Sequence, residues 1–322
     1  MGMVAENIII LLLLLAVMGK SASWTIRSAV GFSRLVGLGE FVIGLVVITL
    51  ISILPEAIVS ILAAAQGSPA LGLGTLVGSN VADLALVFGA VVFFAPRAVS
   101  AEPAFIKDDY IFLGFLLLPL ILGFTGAFSR LDGIILIAAS IVFFFIMARV
   151  KRRHGIRTHH THIGHSVIKE LPILIVSVAL MGTSAYFAVQ YASALAEHIG
   201  MAPAVIGLLI IAPGTALPEL LFAVRAVRRH HNTLALGDVL GTVVADTTLV
   251  LGIVALIHPF SFNPRIIIVT GVFMLFAGIL FFSFLRSGKK LTRAEGALLL
   301  AFYALFIIVE FITRNWTPII TK

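Results

Sequence analysis

The chain has 322 residues, of which 60% are hydrophobic and 11% charged, and its mean hydropathy is +1.15. That is more apolar material than a water-surrounded domain needs, so the sequence reads as an all-α integral membrane protein. It contains no Cys, which excludes disulfides and thiolate metal sites. The formal charge of +7 does not mark a nucleic-acid binder, because the basic residues lie in short loops between apolar runs.

Ten apolar segments follow in order, at about 4–30, 38–65, 69–94, 108–127, 131–149, 169–196, 202–227, 233–257, 264–286 and 292–313. They are expected to be transmembrane helices, since a lipid-exposed backbone must satisfy its own hydrogen bonds. The first lacks a positive leader and a cleavage site, so it reads as a retained helix. Lys20, Arg27 and Arg34 then recur on one helix face, where snorkelling to the surface is the expected use. Loops after the odd-numbered segments carry 18 of the 22 Lys and Arg; the exceptions are Arg130, Arg265, Arg314 and Lys322. The positive-inside rule then predicts a multi-pass cell-membrane protein with both termini extracellular. The most basic stretch, 151–168, reads as a cytoplasmic linker between units 1–150 and 169–322. Its histidines (154, 159, 160, 162, 165) are expected to be solvated rather than metal-bound.

The two units match without a gap from residue 18 to residue 89 at an offset of 163. Leu54-Pro55-Glu56 meets Leu217-Pro218-Glu219, and Val42-Ile43-Gly44-Leu45 meets Val205-Ile206-Gly207-Leu208. Gly74, Gly78, Ala82-Asp83 and Gly89 meet Gly237, Gly241, Ala245-Asp246 and Gly252. The matched motifs occupy 42–89 and 205–252. Each unit holds an odd number of segments, so the second enters the membrane from the opposite side. The expected fold is therefore ten helices in two inverted five-helix repeats. Inverted repeats with interrupted helices point to a secondary transporter whose site lies at mid-depth.

Helical spacing places polar residues on single faces. Ser52 and Glu56 share one, as do Thr215 and Glu219. Thr75, Ser79 and Asp83 form a second stripe, and Asp238, Thr242 and Asp246 form its counterpart. Convergence of these lines gives a pocket of oxygen ligands, which suits hard cations such as sodium, calcium or magnesium. Pro55, Pro213 and Pro218 are expected to expose backbone carbonyls, with Thr49 and Ala212 as candidates. Asp238 lines the ion path or caps its helix; the sequence leaves both readings open. Asn80 is expected to serve packing or a helix–helix hydrogen bond, and Glu40 and Glu310 to face the interface. Glu56, Asp83, Glu219 and Asp246 together could carry four negative charges, which cannot all persist at close range without cations. With calcium alone bound, one or more is expected to hold a proton, so transport should fall as pH drops.

At these motifs the chain resembles the calcium/cation antiporter superfamily, most closely its sodium/calcium exchangers. ISILPE with GTLVGSN and GTALPE with GDVLGTV stand where that family has its two alpha-repeats. The resemblance implies ten helices in inverted halves and calcium/sodium antiport without enzymatic activity or cofactor. It assigns Glu56 and Glu219 as central calcium ligands and Asp83 and Asp246 as completing the central set. Ser52, Thr215, Ser79 and Thr242, with carbonyls of Thr49 and Ala212, would serve sodium. The first and sixth helices would slide. The implied partners are inorganic cations and the lipid bilayer. Ile51 replaces a motif glycine, Thr75, Asp238 and Val243 replace asparagines, and Asp83 stands where exchangers often have an amide. These departures leave protons, or potassium alongside sodium, open as coupling ions. An intramembrane aspartyl protease built on Asp83 and Asp246 is the remote alternative.

Overall fold

A computed structural model describes residues 2–35, 49–95, 99–100, 109–153, 167–228, 232–288 and 290–313. Helix α1 (Gly2–Leu35) leads to a broken pair, α2 (Thr49–Ser52) and α3 (Leu54–Ala65). A continuous rod follows: α4 (Pro69–Val81), a π-helical segment (Ala82–Val87) and α5 (Phe88–Phe94). Strand β1 (Val99–Ser100), α6 (Asp109–Gly123), β2 (Ala127–Phe128) and α7 (Arg130–Arg153) come next. Helix α8 (Val167–Ile199) precedes a second broken rod: α9 (Pro203–Ile206), a π segment (Gly207–Ile211), α10 (Ala212–Thr215) and α11 (Leu217–Arg228). Helix α12 (Asn232–Ala245) then runs through a π segment (Asp246–Val250) into α13 (Leu251–Ile257). Strand β3 (Phe260–Ser261), α14 (Pro264–Gly288), β4 (Lys290–Leu291) and α15 (Arg293–Thr313) complete the order.

Seven of these rods are long and apolar enough to cross a membrane, and Leu54–Ala65 and Tyr110–Gly123 are shorter apolar helices. Several expectations fall outside the described residues: the start of the second segment with Val42 to Leu45, Glu40, and the linker histidines. The 69–94 rod is the most enclosed, with 89% of its apolar window buried, so it occupies the centre. By contrast α1 and α8, at 34 and 33 residues, keep one face outward. At about 1.5 Å per residue each is about 50 Å long, well beyond the bilayer core, so they must lie tilted or project from it. They pack along one another through Met18 and Ala22 with Met181 and Ala185, which are equivalent positions at the 163 offset. Lys20 lies over the Trp24 ring at 5.9 Å, and the exposed Arg27 donates to its own helix at Ser23 O.

Contacts between distant parts of the chain come in reciprocal pairs. Gly89 faces the Gly296 carbonyl and Leu300, and Gly252 faces the Gly133 carbonyl and Ile137. A Cβ at Gly252 would stand 2.8 Å from the Gly133 oxygen, so glycine there permits the helix crossing. Likewise Gly78 meets Ala212, and Gly241 meets Thr49. Each of these pairs maps onto its partner by the same 163-residue shift. Ribbon β2–β3 pairs Phe128 with Phe260, and ribbon β1–β4 pairs Val99 with Leu291. Helices α7 and α15 even begin alike. Asp132 accepts from the Ser129 backbone N–H at 2.7 Å, and Glu295 from the Thr292 N–H at 2.7 Å. These are mirrored capping boxes.

Candidate cation site

The two Leu-Pro-Glu tripeptides sit just beyond matched helix breaks, at Ile53 and Ala216. A proline has no N–H to give the carbonyl four residues back, so Pro55 and Pro218 release the carbonyls of Ile51 and Gly214. This corrects the expectation for Thr49 and Ala212. The Thr49 carbonyl accepts the Ile53 N–H at 3.1 Å, and the Ala212 carbonyl accepts the Ala216 N–H at 3.1 Å and the Thr215 hydroxyl at 3.0 Å. Thr49 instead offers its hydroxyl, which is fully buried and has no protein partner. Both residues lie at the breaks all the same, on segments packed against glycines of the 232–245 and 69–81 helices.

Asp83 and Asp246 fall in the first turn of π-helical segments that replace α winding at equivalent places. A π turn widens the helix and re-aims the side chains on it. Five carboxyl groups result with no exposure at all: Glu56, Asp83, Glu219, Asp238 and Asp246. Hydroxyls join them. Ser52 Oγ donates to Asp238 Oδ1 at 2.9 Å, and Ser79 Oγ approaches Asp246 Oδ2 at 3.4 Å. Thr215 adjoins Glu56, and Asp83 adjoins Glu219. Thr242, the counterpart of Ser79, is buried with its hydroxyl unpartnered. Thr75 turns its hydroxyl back to the Leu71 carbonyl at 3.0 Å, and Ser79 likewise donates to the Leu76 carbonyl at 2.9 Å while standing near Asp246.

Most of the oxygens are left without a protein donor. Neither oxygen of Glu56, Asp83 or Glu219 meets a donor in good hydrogen-bond geometry, nor does Asp238 Oδ2 or Asp246 Oδ1, although Thr215 stands beside Glu56 and Asp83 beside Glu219. The side-chain charges acting on these five, among the described residues, are one another; no Lys, Arg or His takes part. A buried carboxylate with neither donor nor counter-charge is among the costliest groups a fold can hold. Among the described residues no three His, Cys, Asp or Glu stand where they could hold a metal ion at once. A cation entering here must take hydroxyl and carbonyl oxygens or draw carboxylates inward, which suits an ion that binds and leaves.

Asp238 was left open by sequence and is fully buried within its helix, six residues past the start, so it is no cap. Its spacing with Thr242 and Asp246 carried the signal. Asn80 is buried, but neither amide atom has a protein partner, so it makes no helix–helix hydrogen bond. Glu310 does not face the interface. It is 8% exposed and accepts the Thr270 hydroxyl at 2.8 Å, because α14 and α15 pack side by side there.

The profile of one family, described as sodium/calcium exchanger protein, matches residues 6–149 and again residues 169–312. Among relatives, the sodium/calcium exchanger MaX1 of Methanosarcina acetivorans is 27% identical, over 96% of this chain and 99% of that protein. The inner membrane protein YrbG of Escherichia coli is 28% identical, over 81% of this chain and 82% of that one. Among solved structures, the sodium-calcium exchanger NCX_Mj, soaked with 100 mM Na+ and 10 mM Sr2+, has the same fold. It aligns with a TM-score of 0.67 at 23% identity, covering 95% of this chain and 98% of its own.

Proposed function

Because this chain belongs to the sodium/calcium exchanger protein family, we propose that it moves calcium across the cell membrane in exchange for sodium, by alternating access. The observation that carries this reading is the burial of Glu56 and Glu219 with all four carboxylate oxygens lacking a protein donor. Calcium, a hard divalent ion, takes carboxylate, hydroxyl and carbonyl oxygens together. It would draw on Glu56 and Glu219, with Asp83 and Asp246 alongside. Sodium would use the same glutamates with Ser52, Thr215, Ser79 and Thr242. The binding chemistry is charge cancellation: one calcium or several sodium ions offset the same cluster, so the two cargoes exclude each other.

The topology that goes with this reading has ten spans, in two inverted five-helix halves divided near 151–168, and both termini outside. The reciprocal glycine contacts at the 163 shift support it. Sliding of α1 with α8 past the cluster would expose it to one side at a time. Asp83, a carboxylate in place of an amide, favours a second reading in which protons or potassium share the coupling.

The test is calcium uptake into liposomes holding purified protein, driven by outward sodium, proton or potassium gradients in turn. Uptake under the sodium gradient alone is expected, and Glu56→Gln or Glu219→Gln should abolish it while the protein still purifies as a folded species. Full uptake by either variant would overturn the ligand assignment. Uptake under the proton gradient alone would select the second reading.

A further inference from the structure

The two longest helices differ on the faces they turn outward. On α1 the exposed stripe runs through Leu13, Val17, Lys20, Trp24 and Arg27, while Met18, Ala22, Thr25 and Ile26 of the same turns are buried against the protein. The whole stripe lies within the apolar span Val4–Ser28, and Leu13 is 62% exposed. Lys20 and Arg27 therefore hold their charges against the lipid layer rather than among protein groups.

Along the axis the two residues stand about 10.5 Å apart. Their charged heads are much closer. Lys20 reaches forward one turn, so that Nζ lies 5.9 Å from the centroid of the Trp24 ring. Arg27 folds back one turn, and Nε donates to the Ser23 carbonyl at 3.1 Å. Both heads thus converge on the turn that carries Ser23 and Trp24. The Nε bond leaves the Nη nitrogens of Arg27 for another acceptor, and a ring face leaves the Lys20 ammonium its N–H donors. Among the described residues neither head pairs with a carboxylate.

The equivalent turns of α8 hold no cation. Thr183, Phe187 and Gln190 stand at the 163 shift from Lys20, Trp24 and Arg27, and the Thr183 hydroxyl is spent on the Ala179 carbonyl at 2.9 Å. Phe187 is 43% exposed, so an outward aromatic ring recurs on both helices and the charges do not.

We propose that Lys20, Trp24 and Arg27 form a binding site on α1 for the phosphodiester headgroup of an anionic phospholipid. Two cationic heads on one turn call for an anion, and a guanidinium fork matches two phosphate oxygens. The apolar stripe through Leu13 and Val17 leads into the site and takes acyl chains, which a soluble phosphate lacks. Trp24 lies where such a ring belongs, at headgroup level with its apolar body toward the chains. The site stands whatever ion the protein carries.

The test uses fluorescence, since Trp24 and Trp316 are the two tryptophans of the chain. In the full-length Trp316→Phe protein Trp24 is the reporter, and lipids with brominated acyl chains quench it on contact. In mixed micelles, brominated phosphatidylglycerol is expected to reach half-quenching at a concentration at least about fivefold lower than brominated phosphatidylcholine, the preference that one cation beside an anionic headgroup gives. Lys20→Gln combined with Arg27→Gln should abolish that preference. Arg228→Gln, which removes an exposed cation at the end of α11, should leave it intact. Moving the reporter to α8, with Trp24→Phe and Phe187→Trp added, should show no preference. Equal quenching of Trp24 by the two lipids, loss of the preference in Arg228→Gln, or an equal preference on α8 overturns the site. Full relief of quenching by millimolar inorganic phosphate would assign the cradle to a soluble anion and overturn the lipid.

Discussion

Thr25 and Ser177 join the two longest helices through a hydroxyl–hydroxyl hydrogen bond of 2.9 Å. Its mirror positions, Ala188 and Leu14, carry no polar atom, so the link exists once. Both hydroxyls also donate to or sit near their own helix carbonyls, Thr25 to Ser21 at 3.0 Å and Ser177 to Leu174 at 3.0 Å. Interhelical hydrogen bonds in membranes average about 0.6 kcal/mol and reach about 1.7. Thr25→Val and Ser177→Ala are each expected to lower unfolding stability by that order. The double variant should lose less than the sum of the two, as a thermal unfolding cycle in detergent would read.

Glycine at the helix crossings should tolerate little. Ala at Gly252 would meet the Gly133 oxygen at 2.8 Å, whereas Ala at Gly89 would meet the Leu300 side chain at 3.0 Å and the Gly296 oxygen at 3.1 Å. Overpacking of this kind costs about 1–3 kcal/mol. Gly252→Ala should therefore destabilise more than Gly89→Ala, because its Cβ would stand 2.8 Å from a backbone oxygen, whereas the backbone atoms facing Gly89, Leu300 N and Gly296 O, lie at 3.0 and 3.1 Å. Comparison of their unfolding midpoints checks the order.

Removing one carboxylate should relieve the cluster when no cation is present. Glu219 has two buried oxygens without donors and only acids among the charges acting on it. Glu219→Gln is expected to raise the unfolding midpoint in chelator, by an amount on the order of 1–3 kcal/mol, the cost of such an unpartnered group. The same variant should no longer gain stability from calcium. A midpoint at or below wild type in chelator would contradict the charge-cancellation account.

Protons and cations compete for these oxygens, because a metal ligand must be deprotonated to bind. Lowering the pH therefore raises the calcium concentration needed for half-maximal uptake, and raising it does the reverse until the carboxylates are fully ionised. Uptake assayed over a series of pH values, with the gradient held constant, should show this sign. A half-maximal concentration that does not move with pH would count against a carboxylate site.

The paired N-caps give a further check on local structure. Ser129→Ala and Thr292→Val each remove a side chain that joins its cap to the first turn of α7 or α15. Losses of about 0.5–2 kcal/mol each are expected from such changes. Amide exchange should report them first at residues 130–133 and 293–296.

Acids inside apolar runs were conspicuous in the sequence, so Glu56, Asp83, Glu219 and Asp246 could be picked out by position alone, and the structure buries all four together. Asp238 was harder. It lies near the start of its apolar run, where a cap is the cheaper use of an acid, and only packing against the α2 stub shows its partner. The prolines free the Ile51 and Gly214 carbonyls rather than those of Thr49 and Ala212, because a missing N–H acts on the carbonyl four residues back. The π segments leave no mark on hydrophobic periodicity, since a single widened turn shifts the pattern by less than the spread of apolar positions. The capping boxes Ser129-x-x-Asp132 and Thr292-x-x-Glu295 went unread in the sequence because the repeat comparison stopped at residue 89. They extend the 163 shift well past residue 89.

The ribbons Val99–Leu291 and Phe128–Phe260 each clip an early strand to a late one, and the glycine crossings do the same. Every such clasp joins the first half of the chain to the second, so the halves are held to each other by contacts of the kind that hold separate subunits together. A gene severed within 154–166 should accordingly yield two polypeptides that find one another when made in the same cell, and neither should persist alone.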